Sequence, residues 1–201
     1  MLKATLVALR TTIVTLVVTG LVYPISMTGL AQVLFPQQAN GSLVTDEHGR
    51  AIGSALIAQG FTNPAYFQPR PSAAGEKGFD AAASSGSNLG PTSKKLRDRI
   101  VRDLKRLKEE NPEASSEAVP EELVTASASG LDPHLSPKVA LWQVPRIAKT
   151  RGISEERVKA VVDSAIERRT LGVLGEPRVN ALLLNLALNR QFGSPEQPHV
   201  K

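Results

Sequence analysis

Gln143 and Arg146 are the residues of this sequence whose types and spacing could do chemistry. They lie three positions apart on a predicted helix, so their side chains share one face. Pro145 lies between them and interrupts the backbone hydrogen bonds, and Trp142, the only tryptophan, is adjacent. Because burying such groups without hydrogen bonds is costly, the pair needs partners. Spacing alone favours a structural role, in which the pair ties its helix to the preceding loop with Asp132 as a partner, over a ligand-binding role.

The sequence contains no residue pattern typical of a metal site or of covalent catalysis. It has no cysteine, which excludes disulfides, thiol catalysis and cysteine-bound zinc. The three histidines, His48, His134 and His199, lie far apart without ligand spacing, so we predict no metal site. No nucleophile–base pair stands out either. We therefore predict that the chain has no catalytic residues.

A glycine-containing stretch, Gly86 to Ser93, has a superficial likeness to a phosphate-binding loop. Three residues separate its glycines, whereas the nucleotide-binding motif requires four, and Pro91 follows the second glycine. The stretch instead predicts a turn that caps the next helix, with Thr92 or Ser93 as the N-cap residue.

Composition limits the fold class and the partners. The chain has 201 residues, of which 41% are hydrophobic but only 4% aromatic, which favours a helix-rich domain with a core of small residues. The formal net charge is +5. Because the basic residues are spread out and mixed with acidic ones, we predict no binding to nucleic acid.

The first third of the chain contains a long apolar segment. No charged residue occurs from Thr11 to Thr45, and the apolar part extends from Thr11 to Phe35. A helix needs about 20 mostly apolar residues to cross a bilayer, whereas the apolar region of a signal peptide is shorter and ends at a cleavage site. We therefore predict one uncleaved transmembrane helix that continues through Pro24, which membrane helices tolerate.

One face of this helix carries the residue types that join helices in lipid. Its threonines recur at intervals of three and four, and hydroxyl groups and glycines allow close helix–helix contact. We predict that this face packs against a partner helix; the alternative is a lone anchor whose threonines bond to their own backbone. The candidate packing residues are Thr12, Thr15, Thr19, Gly20, Tyr23 and Pro24.

The basic residues on either side of the segment predict its orientation. Lys3 and Arg10 precede it, and the first basic residue after it is Arg50. The positive-inside rule therefore predicts a cytoplasmic N-terminus at 1–10, a span at 11–35 and an extracytoplasmic domain at 36–193. Residues 194–201 are predicted to be a flexible tail.

The exported part predicts an α+β fold, a mainly helical domain with a small β-sheet. Short strands are expected at Ser42–Val44 and Gly53–Ala58. An ordered loop, anchored by Tyr66, Phe67, Phe79 and Leu89, is expected to follow and to pack on the domain. Helices are predicted at Lys94–Glu110, from Ser136 to Gly152, from Glu155 to about Arg169, and from Arg178 to about Phe192.

Two further stretches carry open interpretations. The helix Lys94–Glu110 has eight basic and two acidic residues between Lys94 and Lys108, which is typical of a solvated face but also fits lipid headgroups or an acidic partner. Small hydroxyl residues before Gly130 favour close backbone approach, either to a partner or to the core of the domain itself; they are Thr125, Ser127 and Ser129.

Eight stretches, in order, resemble a known family. They are GLVYP, QANGSLV, GSALIAQGF, RPSA, SGSNLGPTS, PEELVTASASGLDPHLSP, QVPRIAKTRG and GEPRVNALLLNLAL. Together they resemble the C subunit of the Kdp potassium-transporting ATPase from about Leu9 to Phe192, and VTASASGLDPHLSP is highly specific to that family.

The resemblance implies a non-catalytic accessory subunit of a complex that imports potassium across the bacterial inner membrane. The implied partners are a channel-like potassium-translocating subunit, a P-type subunit that hydrolyses ATP, a small hydrophobic subunit and membrane lipid. The subunit would act as a catalytic chaperone that raises the ATP affinity of the hydrolysing subunit. The family's Gln-x-x-Arg motif, credited with nucleotide interaction, corresponds here to Gln143 and Arg146.

The charge rule and a direct nucleotide contact exclude each other. ATP is cytosolic, whereas the predicted orientation puts Gln143 outside the cell. Insertion rules are physical and the motif analogy is not, so we give the orientation more weight. The resulting hypothesis is a domain over the outer mouth of the potassium-translocating subunit, where it stabilises the complex and gates ion entry. The rival class is a free-standing exported binding domain on a membrane anchor.

Overall fold

The computed structural model describes residues 1–46, 49–114 and 118–195. The chain divides into two compact units, Met1–Ser54 and Ala55–Lys201. His48, His199 and most of the predicted tail at 194–201 lie outside the described residues.

The first unit consists mainly of one long helix, α1, which extends from Leu2 to Leu34. By length and composition it is the one helix in the described part of the chain that could cross a membrane. At 1.5 Å per residue its 33 residues extend for about 50 Å, longer than the hydrocarbon core of a bilayer. The helix thus begins nine residues before the predicted span at Thr11, because Lys3 and Arg10 are compatible with helix while being too polar for lipid.

Pro24 is accommodated inside α1 by a local change of helix type. The turn Val18–Val22 is π-helical, and the N–H of Tyr23 donates to the carbonyl of Val18, five residues earlier. The α-helix then resumes at Tyr23–Leu34 with Pro24 in its first turn. Since proline has no N–H, a widened turn just before it lets the helix continue without a break.

A short helix, α2, and a β-hairpin complete the first unit. Helix α2 is Pro36–Ala39, and strands β1 (Leu43–Thr45) and β2 (Ala51–Ser54) pair antiparallel with Leu43 opposite Ser54. The second strand was predicted at Gly53–Ala58, which starts two residues and ends four residues too late. The chain leaves the hairpin after Ser54, and the N–H of Ala58 instead donates to the Leu131 carbonyl.

The described part of the second unit contains four helices. They are α3 (Lys94–Glu110), α4 (Pro137–Arg151), α5 (Glu155–Ser164) and α6 (Ala181–Phe192). Local capping signals set the starts of α3 and α4. The Ser93 hydroxyl accepts from the Leu96 N–H, and the Ser136 hydroxyl accepts from the Val139 N–H. Single 3₁₀ turns lie at Pro112–Ala114 and Glu121–Leu123.

The structure corrects the predicted bounds of the last two helices. Helix α5 ends at Ser164, five residues before the predicted Arg169. Helix α6 begins at Ala181 rather than Arg178, because Val179–Asn180 forms a strand, β4. This strand pairs antiparallel with β3 (His134–Leu135). The resulting two-stranded ribbon was not predicted from the local sequence pattern.

The core of the second unit joins these helices to the long loop before α3. Phe67 is fully buried among side chains of α4, α5 and α6, so the loop is ordered, as predicted. Tyr66, Phe79 and Leu89 are half-buried. Gly130, which follows α3 in the chain, lies against the long loop that precedes α3. A Cβ placed on Gly130 would be 2.5 Å from the Ser85 carbonyl oxygen. The close backbone approach predicted near Gly130 therefore serves the domain's own core.

Candidate functional site

Gln143 lies on the inner face of α4 and is 1% exposed. Its amide oxygen accepts from the backbone N–H of Gln68 at 2.8 Å, and its amide nitrogen donates to the Gln68 carbonyl at 3.0 Å. One side chain thus pairs with both polar groups of a single peptide residue 75 positions away. At 1% exposure, the amide is shielded from solvent.

Arg146, 3% exposed, extends this network from the next turn of α4. Its guanidinium donates to the Pro64 carbonyl, to the Tyr66 carbonyl at 3.1 Å, to Asn111 Oδ1 at 3.1 Å and to Gln143 Oε1 at 2.7 Å. Burial lowers the pKa of Arg146 to about 10, an effect that the charge of Glu110 opposes. The guanidinium therefore stays charged at neutral pH. Its four hydrogen-bond partners are all oxygen atoms.

The predicted partner of this pair, Asp132, is not among its contacts. Asp132 instead lies 3.5 Å from the Arg70 guanidinium and accepts from the backbone N–H of His134. The predicted tie was to the loop immediately before α4, whereas in the structure the pair holds the loop around Gln68. The partners of Arg146 are neutral backbone carbonyl groups and the side-chain amides of Asn111 and Gln143, not the carboxylate that was predicted.

Two more side chains complete the grip on this loop. Asn185 of α6 accepts from the Phe67 N–H at 2.8 Å and donates to the Phe67 carbonyl at 3.0 Å, which repeats the geometry of Gln143 on the preceding residue. Arg151 donates to the Ala65 carbonyl at 2.8 Å. All five carbonyls from Pro64 to Gln68 thus accept a hydrogen bond from a side chain of α4 or α6. We call 64–68 the clamped segment.

Two of the four side chains that hold the clamped segment could be identified from the sequence and two could not. Gln143 and Arg146 were identifiable because they are polar residues on an apolar helix. Asn185 gave the same signal within the apolar stretch Val179–Leu188, yet nothing local connects it to Phe67, 118 positions away. Arg151 resembled an ordinary basic residue of a last helical turn.

A second feature of the domain is a protruding arm between α5 and α6. Glu167 and Arg178 pair antiparallel, as do Thr170 and Leu174. Ion pairs hold its stem, from Arg169 to Glu176 at 2.6 Å and from Arg178 to Glu167 at 2.9 Å. The aliphatic tip is exposed: Leu171 by 87%, Val173 by 70% and Leu174 by 59%. We call 167–178 the apolar arm.

Three of the six predicted packing residues of α1 lie on one face of the helix. Thr12, Thr15 and Thr19 line a shallow groove together with Ala8, Thr11 and Leu16. The Thr19 hydroxyl donates to the Thr15 carbonyl at 2.7 Å, so in the isolated chain this hydroxyl serves its own helix. Gly20, Tyr23 and Pro24 occupy the next turn, where the Tyr23 ring is exposed.

Comparison with known proteins identifies a family. The family model described as KdpC, K+-transporting ATPase, c chain, matches residues 5–190. A potassium-transporting ATPase KdpC subunit from Myxococcus xanthus is 64% identical over 96% of this chain and 90% of its own length. One from Rhodopseudomonas palustris (strain BisB5) is 52% identical over 94% of this chain and 98% of its own. The chain therefore belongs to the KdpC family, the c chain of the K+-transporting ATPase.

Proposed function

We propose that this chain is the membrane-anchored assembly subunit of a potassium-importing ATPase in the bacterial inner membrane. Family membership makes it an accessory subunit, with ATP hydrolysis carried out elsewhere in the complex. Its proposed partners are the channel-like potassium-translocating subunit, the P-type ATP-hydrolysing subunit and the small hydrophobic subunit. In this proposal α1 spans the bilayer with its N-terminus in the cytoplasm, and the domain outside stabilises the complex at the ion entrance and gates potassium entry.

The apolar arm is the observation that carries the assembly role. Three neighbouring aliphatic side chains are exposed to water at the tip of an arm whose stem has paired backbone and two surface ion pairs. A cluster of exposed aliphatic residues is typical of a protein contact surface. Leu171 also has a positive φ of 54°, a backbone conformation that is unfavourable for leucine. The tip is therefore shaped for a partner rather than for the isolated domain.

Co-purification of the complex tests this role. Replacing Leu171, Val173 and Leu174 by serine removes the apolar tip while leaving the ion-paired stem. We expect the triple variant to fold but to lose most of the co-purifying subunits. Leu183→Ser, at an exposed leucine of α6, is the control and should assemble normally. Full recovery of complex with the triple variant would refute an assembly role for the arm.

We also propose that any effect of this subunit on ATP affinity passes through the clamped segment rather than through contact of Gln143 with nucleotide. The Gln143 amide is 1% exposed and makes three hydrogen bonds, two with Gln68 and one with Arg146, so contact with ATP would require this network to break. The proposed orientation also separates the domain from cytosolic ATP.

A pair of matched variants distinguishes the two routes. Gln143→Ala and Asn185→Ala each remove one bidentate amide from neighbouring residues of the clamped segment. If the route is structural, the KM for ATP of the assembled complex should rise in both variants alike. A rise confined to Gln143→Ala would indicate direct nucleotide contact.

A further inference from the structure

Helix α3 presents a strongly basic outer face. Seven of its lysines and arginines are exposed; they are Lys94, Lys95, Arg97, Arg102, Lys105, Arg106 and Lys108. We call these seven residues the basic face. The opposite side of the helix is fixed by the core, where Leu104 and Leu107 pack in a cluster that includes Trp142. The helix therefore cannot turn its cations inward, and the basic face is a fixed feature of the surface.

Most of this charge is not neutralised within the described residues. Lys105 lies 4.0 Å from Glu109, and Arg106 lies 3.0 Å from Glu110. The other five cations of the basic face have no carboxylate within 4 Å in the part of the chain that the structure describes. Exposed Asp98 lies on the same face, four positions after Lys94 and four before Arg102, and offsets part of this charge although it has no cation within 4 Å among the described residues. Arg102 also lies three and four positions from Lys105 and Arg106, a spacing at which like charges repel on a helix. An anionic partner would relieve that repulsion.

The shape of the basic face favours a lipid surface as that partner. Its cations extend along 15 residues, about 20 Å of helix, rather than converging on one pocket. Val101, a single aliphatic side chain that is 61% exposed, lies among them. Clusters of lysine and arginine on an amphipathic helix are typical of segments that bind anionic headgroups. A membrane anchor in the same chain keeps the local concentration of such headgroups high.

We propose that the basic face of α3 binds the headgroups of anionic phospholipids in the membrane that anchors the chain. This inference rests on the proposed function in one respect only, namely that α1 inserts into a bilayer. It does not depend on the apolar arm or on assembly with the other subunits.

A fluorescent label at one position of the full chain tests the proposal. The natural sequence lacks cysteine, so Val101→Cys provides a unique attachment point for a polarity-sensitive fluorophore. We expect a severalfold lower rate of quenching by a water-soluble quencher in phosphatidylglycerol-containing vesicles than in vesicles of phosphatidylcholine alone. High salt should abolish the difference, because headgroup attraction is electrostatic.

Charge reversal provides the matched control. Lys95→Glu with Arg102→Glu should remove the lipid-dependent protection, whereas Lys77→Glu with Lys159→Glu, the same charge change elsewhere on the surface, should keep it. Equal quenching in the two lipids would overturn the proposal. So would protection that appears in neutral lipid only after the other subunits are added, which would indicate an acidic protein surface. A chain that floats with neither vesicle would instead refute membrane anchoring, and with it the proposed function.

Discussion

At the scale of residues, two side-chain amides form the pair of backbone hydrogen bonds that a neighbouring strand forms in a sheet. Gln143 and Asn185 each pair with the N–H and the carbonyl of one residue in the clamped segment. A loop inside a domain would otherwise bury backbone groups without partners, which is strongly unfavourable. The polar positions of two apolar helices are therefore explained by the loop that they hold.

Gln143→Ala should destabilise the domain by about 2–4 kcal/mol, because it leaves two backbone groups of Gln68 without partners and removes one acceptor of Arg146. Urea unfolding of the full chain in detergent, followed by circular dichroism, measures the loss. Gln143→Glu is the comparison: it keeps the acceptor for Arg146 but loses the donor to Gln68, so its cost should be smaller. An unchanged midpoint for Gln143→Ala would contradict the clamp.

Asp132 predicts a pH dependence of stability. A hydrogen bond with the His134 side chain is the main cause that lowers the pKa of this carboxyl, with a smaller contribution from Arg70. A lowered pKa in the fold means that the stabilisation is present at neutral pH and is lost as pH falls through the folded pKa, below about pH 4.

We therefore expect Asp132→Asn to be less stable than the natural chain by up to about 1 kcal/mol at pH 7, with a difference that shrinks as the pH falls through the lowered pKa of Asp132. Chemical unfolding at several pH values measures it. Asp163→Asn, at an exposed position of α5 that has no ion pair among the described residues, should show no such trend.

At the scale of elements, capping signals and close contacts have different origins. The N-caps of α3 and α4 and the left-handed Gly152 that ends α4 are local, and each follows from a few neighbouring residues. The late start of α6 is not local, because it follows from the pairing of β4 with β3, whose partners are 44 or more positions apart. The early end of α5 leads into the apolar arm, whose paired residues are 4 and 11 positions apart.

The two left-handed glycines separate these effects. Gly130 has φ of +68° and would place a Cβ 2.5 Å from the Ser85 carbonyl oxygen and 2.8 Å from the Ala74 nitrogen. Gly152 has φ of +64° but nothing within 4 Å of such a Cβ. Gly152→Ala should cost about 1 kcal/mol from backbone conformation alone.

Gly130→Ala should cost clearly more than Gly152→Ala, since backbone must also move. The same unfolding measurement compares the two variants. Equal losses would mean that the contact between 130 and the loop of residues 74–85 is not tight.

At the scale of the whole molecule, orientation across the membrane decides which functions are available. Cysteine labelling in intact cells tests it directly, because the natural chain has no background thiol. A cysteine at exposed Glu156 should react with a membrane-impermeant reagent from outside, whereas one at Lys3 should react only in inverted vesicles. The opposite pattern would place the domain in the cytosol, where ATP is present, and would support direct contact between Gln143 and nucleotide.

Taken alone, the sequence determined the long apolar helix, the α+β class, the capped ends of α3 and α4, and the family, because each depends on composition, local spacing or contiguous motifs. The tertiary structure alone decided what Gln143 and Arg146 hold, that Asn185 and Arg151 join them, and that an aliphatic arm protrudes between α5 and α6. These depend on hydrogen bonds and contacts between residues far apart in the chain. Periodicity carries no information about which distant backbone group a buried amide will meet.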